Sequence, residues 1–201
     1  MSNSLPSHPN LDHLREQAKD LLASFRAGEP EAVDVVRWYL PAIAKSKRLA
    51  GAQIPLSLSD AQSAIARKHG FSSWPKMVRH IEALRKLHGA WLFTSIEVEG
   101  SVYPEGVMNT SSLSIDGNIF KMTSAEASYV GLFIIDVETV PKTIDIHFTE
   151  GPEAGNNSLG IFEFDGRELK ICVGLNGAQR PTAFETTPGS GHALETFRRG
   201  E

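Results

Sequence analysis

Asp145 and His147 stand two residues apart in Thr143-Ile-Asp-Ile-His-Phe148, alternating with Ile144, Ile146 and Phe148. In a strand, that spacing puts both polar groups on one face and the three apolar groups on the other. A carboxylate beside an imidazole can move protons near neutral pH. Glu163, flanked by Phe162 and Phe164, can join them from a nearby strand. Alternation leaves two orientations open. Turned inward, Asp145, His147 and Glu163 are candidate catalytic residues. Turned to water, they are ordinary surface groups, the usual arrangement in a half-buried sheet.

The other chemically active residue types are sparse. Cys172 lies in Leu169-Lys-Ile-Cys-Val173 with apolar neighbours, which suits a small buried hydrophobe better than a nucleophile. One cysteine and seven histidines show neither C-x-x-C nor H-x-x-x-H spacing, so no zinc site is implied. Pro188-Gly-Ser-Gly191 lacks the Lys-Ser/Thr of a phosphate loop. No spacing points to a cofactor. Arg180, just before Pro181, is a candidate to hold a carboxylate or phosphate from a loop; a salt bridge to a residue such as Glu185 is its plainer role.

The elements that must position these residues divide the chain in two. Residues 1–88 carry 13 Lys+Arg against 8 Asp+Glu, a net +5, and residues 89–201 carry 7 against 16, a net −9. The pattern changes at the same place. Leu11, Leu14, Ala18, Leu21, Leu22 and Phe25 recur at helical steps behind an Asn10 cap. A second helix is predicted over 31–40, stopped by Pro41. A basic stretch at 45–48 and a connector at 51–58 follow. A third helix is predicted behind Ser59 as far as His69, and a fourth from Ser73 to about Leu87. After His88 the periodicity predicts strands near 91–99, 110–115, 118–123, 128–137, 142–149, 158–164, 168–174 and 191–198. Asp116-Gly117 and Asp165-Gly166 are strong hairpin signals between them. Eight short strands with tight turns and no helix-length interruption predict an antiparallel barrel or sandwich. The fold class expected is therefore α+β: a helical bundle over 1–88 and an eight-stranded antiparallel barrel over 89–201.

Two resemblances sharpen this. The segments Leu87-His-Gly-Ala-Trp91, Ile144-Asp-Ile-His-Phe-Thr-Glu-Gly-Pro-Glu153, Leu159-Gly-Ile-Phe-Glu-Phe-Asp-Gly166, Leu169-Lys-Ile-Cys172 and Arg180-Pro-Thr-Ala-Phe184 make residues 89–200 similar to a lipocalin-like family of planctomycetes and related soil bacteria, itself largely uncharacterised. The resemblance implies a small calycin-type barrel. It also implies a first-strand tryptophan, here Trp91, plugging the closed end beneath a C-terminal arginine, taken here as Arg198. The second resemblance, through Leu14-Arg-Glu-Gln-Ala-Lys-Asp-Leu-Leu22, Leu58-Ser-Asp-Ala-Gln62 and Ile65-Ala-Arg-Lys-His-Gly-Phe71 with Ser73-Trp-Pro75, is to the helical module that precedes ankyrin repeats in many bacterial proteins. No repeats follow it here.

A barrel of this size holds side chains or one small ligand. Trp91, Phe93, Phe162 and Phe164 are candidates to fill or line it. If Phe162 and Phe164 point inward, Glu163 must point outward. The function expected first is a small-molecule binding or interaction protein with an apolar ligand, contacted by Phe93, Phe162, Phe164 and Arg180. The alternatives are an isomerase-, cyclase- or hydrolase-like enzyme using Asp145, His147 and Glu163, and a ligand-sensing DNA-binding regulator. The last rests on a helix-turn-helix outline at 61–81, but Trp74-Pro75-Lys76 offers few side chains suited to reading bases, so nucleic acid is not the expected partner. The lone cysteine, the absence of a basic n-region before an apolar core at the N-terminus, and the absence of a long apolar run predict a cytoplasmic protein with no membrane partner.

Overall fold

A computed structural model describes residues 5–46 and 55–200, which separate into two compact units, 1–81 and 82–201. Lys47, Arg48 and residues 51–54 of the connector expected at 51–58 lie outside the described residues. Among the described residues no helix is long and apolar enough to cross a membrane.

In the first unit, α1 (Leu11–Arg26) starts where the Asn10 side chain accepts the amides of Asp12 and His13. It buries Leu14 and Ala18. Next, α2 (Pro30–Tyr39) stops before Pro41, because a residue preceding proline is pushed out of the helical region. Pro41 then opens a further short helix, α3 (Pro41–Ser46), which the sequence pattern does not announce. Proline fits this place because the first helical residue needs no amide donor. The next helix, α4 (Leu58–Lys68), begins two residues earlier than expected. Its cap is Ser57 rather than Ser59, because Asp60 three positions on returns a bond to the Ser57 amide and completes a capping box. Ala61, Ala64 and Ala66 on α4 are fully buried, as is Ala18 on α1; small side chains let these helices approach closely. Then α5 (Trp74–Leu87) contributes Met77 and Ile81 to the core of this unit.

The remaining residues of α5 belong to the second unit, where Leu84 and Leu87 join the core of a closed antiparallel barrel. Its eight strands are β1 (Gly89–Val98), β3 (Ser112–Asp116), β4 (Ile119–Thr123), β5 (Ser128–Asp136), β6 (Lys142–Glu150), β7 (Asn157–Phe164), β8 (Glu168–Gly174) and β9 (His192–Arg199). Each pairs with the next, and β1 pairs with both β3 and β9, which closes the sheet and leaves no free edge in the ring. Between β1 and β3 lie a two-residue strand, β2 (Ser101–Val102), and a single helical turn, α6 (Glu105–Met108).

Strand alternation sorts the side chains. Leu113 and Ile115, Phe120 and Met122, Phe133 and Ile135, and Phe162 and Phe164 all face the interior core. On β1 the alternation breaks at a bulge between Phe93 and Ser95. Trp91 and Phe93 face in before it, and Ile96 and Val98 face in after it. The extra residue keeps both halves apolar inward despite their odd spacing.

One end of the barrel is sealed. Trp91 is completely buried, and its indole N–H donates to the Leu87 carbonyl at 2.8 Å. Phe164 meets it edge-on, with ring centroids 5.7 Å apart. The guanidinium over the indole belongs to Arg199, 4.5 Å from the ring centroid, and not to Arg198. Register decides this: Arg199 pairs with Trp91 across the ladder, whereas Arg198 pairs with Leu92 and Glu168 and is turned to the outer face. Arg199 also donates to the carbonyls of Lys86 and His88. Gly89 leaves room for it, since a Cβ there would approach its Nη1 to 3.1 Å, at a φ of +127° that L-residues avoid. Arg199→Met is therefore expected to lower the free energy of urea unfolding by about 1–2 kcal/mol, and Arg198→Met to change it by under about 0.5 kcal/mol.

Candidate functional site

Above the plug the barrel is hollow. A cavity of ≈ 270 Å³ begins at Leu87, Leu113, Ile115 and Leu169. It rises past Phe133, Ile144, Phe162 and Ile171. It ends at the opposite mouth among Met122, Tyr129, Phe148, Ser158 and Val173. At that end Leu175, Asn176 and Glu153 complete it, and Asn176 is exposed, so the cavity reaches the surface there. Phe148 makes edge contacts with Phe120, at a centroid distance of 5.6 Å, and with Tyr129, at 6.2 Å, giving one wall an aromatic surface. Phe120 can lie against β5 because its cross-strand partner is Gly131; a Cβ there would run into the Phe120 ring and the His147 carbonyl.

One charged side chain faces this cavity at mid-depth. Glu195 lies on β9 between Ala193 and Phe197, all three on the inward face. Its cross-strand neighbours are Ile96 on β1 and Ile171 on β8. No hydrogen bond or ion pair reaches it among the described residues, and burial pushes its carboxyl up to about 7. A carboxylic acid so placed has much of its charged form's hydration removed and nothing to replace it.

The residues singled out from sequence take other places. Asp145, His147 and Glu163 face outward and do not converge inside the barrel. Asp145 pairs with Arg180 at 2.6 Å, His147 Nδ1 lies 2.8 Å from Asn157 Oδ1, and Glu163 pairs with Lys170 at 3.2 Å. They are exposed side chains on two strands, β6 and β7, each paired to a near neighbour. Their orientation follows from the core: Ile144, Ile146 and Phe148 occupy the inward face of β6, which forces Asp145 and His147 out.

Of the four residues expected to touch a ligand, Phe162 alone lines the cavity. Phe93 is inward but packs on Phe197 with centroids 4.4 Å apart, and Phe164 is committed to the plug. Arg180 is not at the mouth. It donates to the Gly160 carbonyl at 2.6 Å and to the Ile144 carbonyl at 3.3 Å, besides gripping Asp145. It thereby ties the long β8–β9 connection against the outside of β6 and β7. The same connection places the Glu185 carbonyl 3.9 Å from Cys172 Sγ, and it brings Thr186 between Glu97 and the Gly100 amide. Beside it Ile161 and Cys172 are buried although they face out. Desolvation raises the Cys172 thiol to about 11, so it is not a nucleophile at neutral pH. Among the described residues no cluster of three or more His, Cys, Asp or Glu is placed to hold a metal ion.

No protein-family model matches this chain, and neither the curated proteins nor the solved structures contain a match to it.

Two outcomes test this geometry. Native protein at pH 8 is expected to resist iodoacetamide at Cys172, with labelling appearing only once urea unfolds the barrel. For Glu195 the native value of about 7 lies above the unfolded value near 4.5. The folded state therefore keeps a proton that the unfolded chain releases, and wild-type stability falls as pH rises through that window. Glu195→Gln removes the effect. Its advantage over wild type is expected to be absent below pH 4.5, to grow up to pH 7, and to level off at on the order of 3 kcal/mol, read from denaturant unfolding across pH.

Proposed function

We propose that this chain is a binding protein of calycin type whose barrel takes up one small, mostly apolar molecule. The observation that carries the reading is the hollow interior: ≈ 270 Å³ of space walled by aliphatic and aromatic side chains, sealed at one end by Trp91 and Arg199 and reaching the surface at the other. Pockets for drug-sized ligands run to roughly 300–1,000 Å³ and are largely apolar with a few placed polar groups. This one sits at the small end of that range, which favours a compact ligand of one or two rings over an extended lipid. A tryptophan on the first strand beneath an arginine from the last is also what the lipocalin-like resemblance implies, with Arg199 in the arginine's place.

A second reading, an enzyme working inside the barrel, is favoured by the same carboxyl. A proton acceptor titrating near neutral pH within an apolar chamber suits general acid–base work. Glu195 would carry it without Asp145, His147 or Glu163, which face away. Turnover of a bound probe, lost in Glu195→Gln, is the result that favours this reading over passive binding.

The first reading is tested with naphthalenemethanol, a neutral fluorescent probe of suitable size. Wild type is expected to bind it with one-to-one stoichiometry and a blue-shifted emission. Ile146→Trp, which adds bulk on the cavity wall, is expected to weaken binding about tenfold or more. Ile134→Trp, on the outer face, is expected to leave it unchanged. Absence of saturable binding in wild type would remove the reading.

A further inference from the structure

Resting on the binding reading above, we propose that the cavity is selective for organic amines, with Glu195 receiving the protonated nitrogen of a mostly apolar ligand. Three observations carry this. First, Glu195 is inside the cavity, flanked by Ile96 and Ile171, and has no partner among the described residues. A neutral hydrocarbon ligand would leave that carboxyl without a partner and drier than before. Second, the cavity lining is one-sided in charge: it includes Glu195 and Glu153 and no Lys, Arg or His. Two carboxyls without a cation select against carboxylates and phosphates. Third, the whole strand half of the sequence is acidic, with a net charge of −9 over residues 89–201, which raises the local concentration of cations at the mouth.

The energetic logic is one of prior investment. Withdrawing a carboxylate from water is unfavourable, and here that loss is incurred when the barrel folds, before any ligand arrives. An ammonium group entering the cavity meets an acceptor that is already largely desolvated and engaged by no donor among the described residues. Charge-assisted hydrogen bonds of this kind are stronger than neutral ones. The ligand's own desolvation opposes binding, and the apolar wall contacts of Phe162, Phe133 and Phe148 offset it. Specificity then comes from Glu195, and the bulk of the affinity comes from the walls.

A definite pH dependence follows. The other titratable groups facing the cavity are Glu153 at the mouth and Tyr129 on β5. The charged residues nearest Glu195 on the flanking strands, Glu97 on β1 and Lys170 on β8, are turned to the outer face. A cation binds the ionised form of Glu195, so below its titration point binding must first release a proton, and affinity for the amine falls as pH falls. A neutral alcohol of the same shape has no such requirement.

The test compares naphthalenemethylamine, naphthalenemethanol and naphthoate by fluorescence titration on the full chain. In wild type at pH 8 the amine is expected to bind about tenfold or more tightly than the alcohol, and naphthoate most weakly of the three. The amine's advantage is expected to shrink towards parity between pH 8 and pH 5. Glu195→Gln is expected to abolish the advantage while leaving the alcohol's affinity within about threefold of wild type, which also shows that the variant is folded. The pH series on wild type needs no variant and stands if Glu195→Gln fails to fold. Equal affinities for amine and alcohol in wild type, or tightest binding of naphthoate, overturn the amine proposal and leave the apolar-binding reading in place. If none of the three probes binds, that reading falls and this proposal falls with it.

Discussion

Helix α5 ends in carbonyl oxygens that have no partner within the helix, and the barrel supplies the donors. The Trp91 indole takes the Leu87 carbonyl, and the Arg199 guanidinium takes those of Lys86 and His88. Buried polar groups at a helix end need such partners. Here the same two side chains also stack on one another and close the base of the sheet. They come from the first and last strands, so the plug fastens the seam of the ring where β1 meets β9. Removing the indole would open a large void and leave the Leu87 carbonyl unpaired, a combination that ranks with the most damaging core substitutions. The cavity exists above this floor because the floor is filled completely.

A second constraint acts from outside. The β8–β9 connection is long and has no regular structure of its own, yet it is fixed. Arg180 reaches two strand carbonyls and Asp145, and the Thr186 hydroxyl donates to Glu97 while accepting from the Gly100 amide. This explains residues that resemble chemistry in the sequence. The ion pair of Arg180 with Asp145 is a clamp, and Cys172 is buried among the clamped elements. Exposed ion pairs contribute little by themselves. Backbone carbonyls held by a guanidinium add direction, so this clamp fixes a loop's path more than it adds stability.

Most of the fold is legible in the sequence, and the site is not. All eight ring strands are visible in the sequence, most of them because one face is wet and the other dry; on β7 and β8 the outer face is also partly covered, at Ile161 and Cys172. The bulge in β1 is not visible, since nothing in Leu92-Phe93-Thr94-Ser95-Ile96 announces an extra residue; only pairing with β9 requires it. The choice between Arg198 and Arg199 turns on that same register. The outward turn of Asp145 and His147 is one of the two orientations that alternation leaves open. Asp145 and His147 draw attention because acid and imidazole stand together, but proximity along a strand says nothing about which face is buried. Glu195 was accessible by the same alternation: in His192-Ala-Leu-Glu-Thr-Phe-Arg-Arg199, placing Phe197 inward places Glu195 inward as well. It escapes notice because a lone acid on an otherwise ordinary strand carries no motif.

That lone acid sets the balance between stability and function in this barrel. A glutamine or leucine at position 195 would fill similar space without a titrating group, and the fold would be more stable at neutral pH. A carboxyl held apart from every donor among the described residues is costly, and its deprotonation destabilises the native state further as pH rises. Groups kept under such strain are concentrated at functional sites, where an incoming partner relieves it. The rest of the barrel is built to other rules: its carbonyls at the base are paired, its long loop is clamped, and the bulge keeps its interior apolar. Against that background the position of Glu195, at mid-depth in a hollow whose walls are otherwise chiefly aliphatic and aromatic, is what a ligand-directed group requires: a carboxyl that faces the cavity and an acceptor that no donor among the described residues occupies.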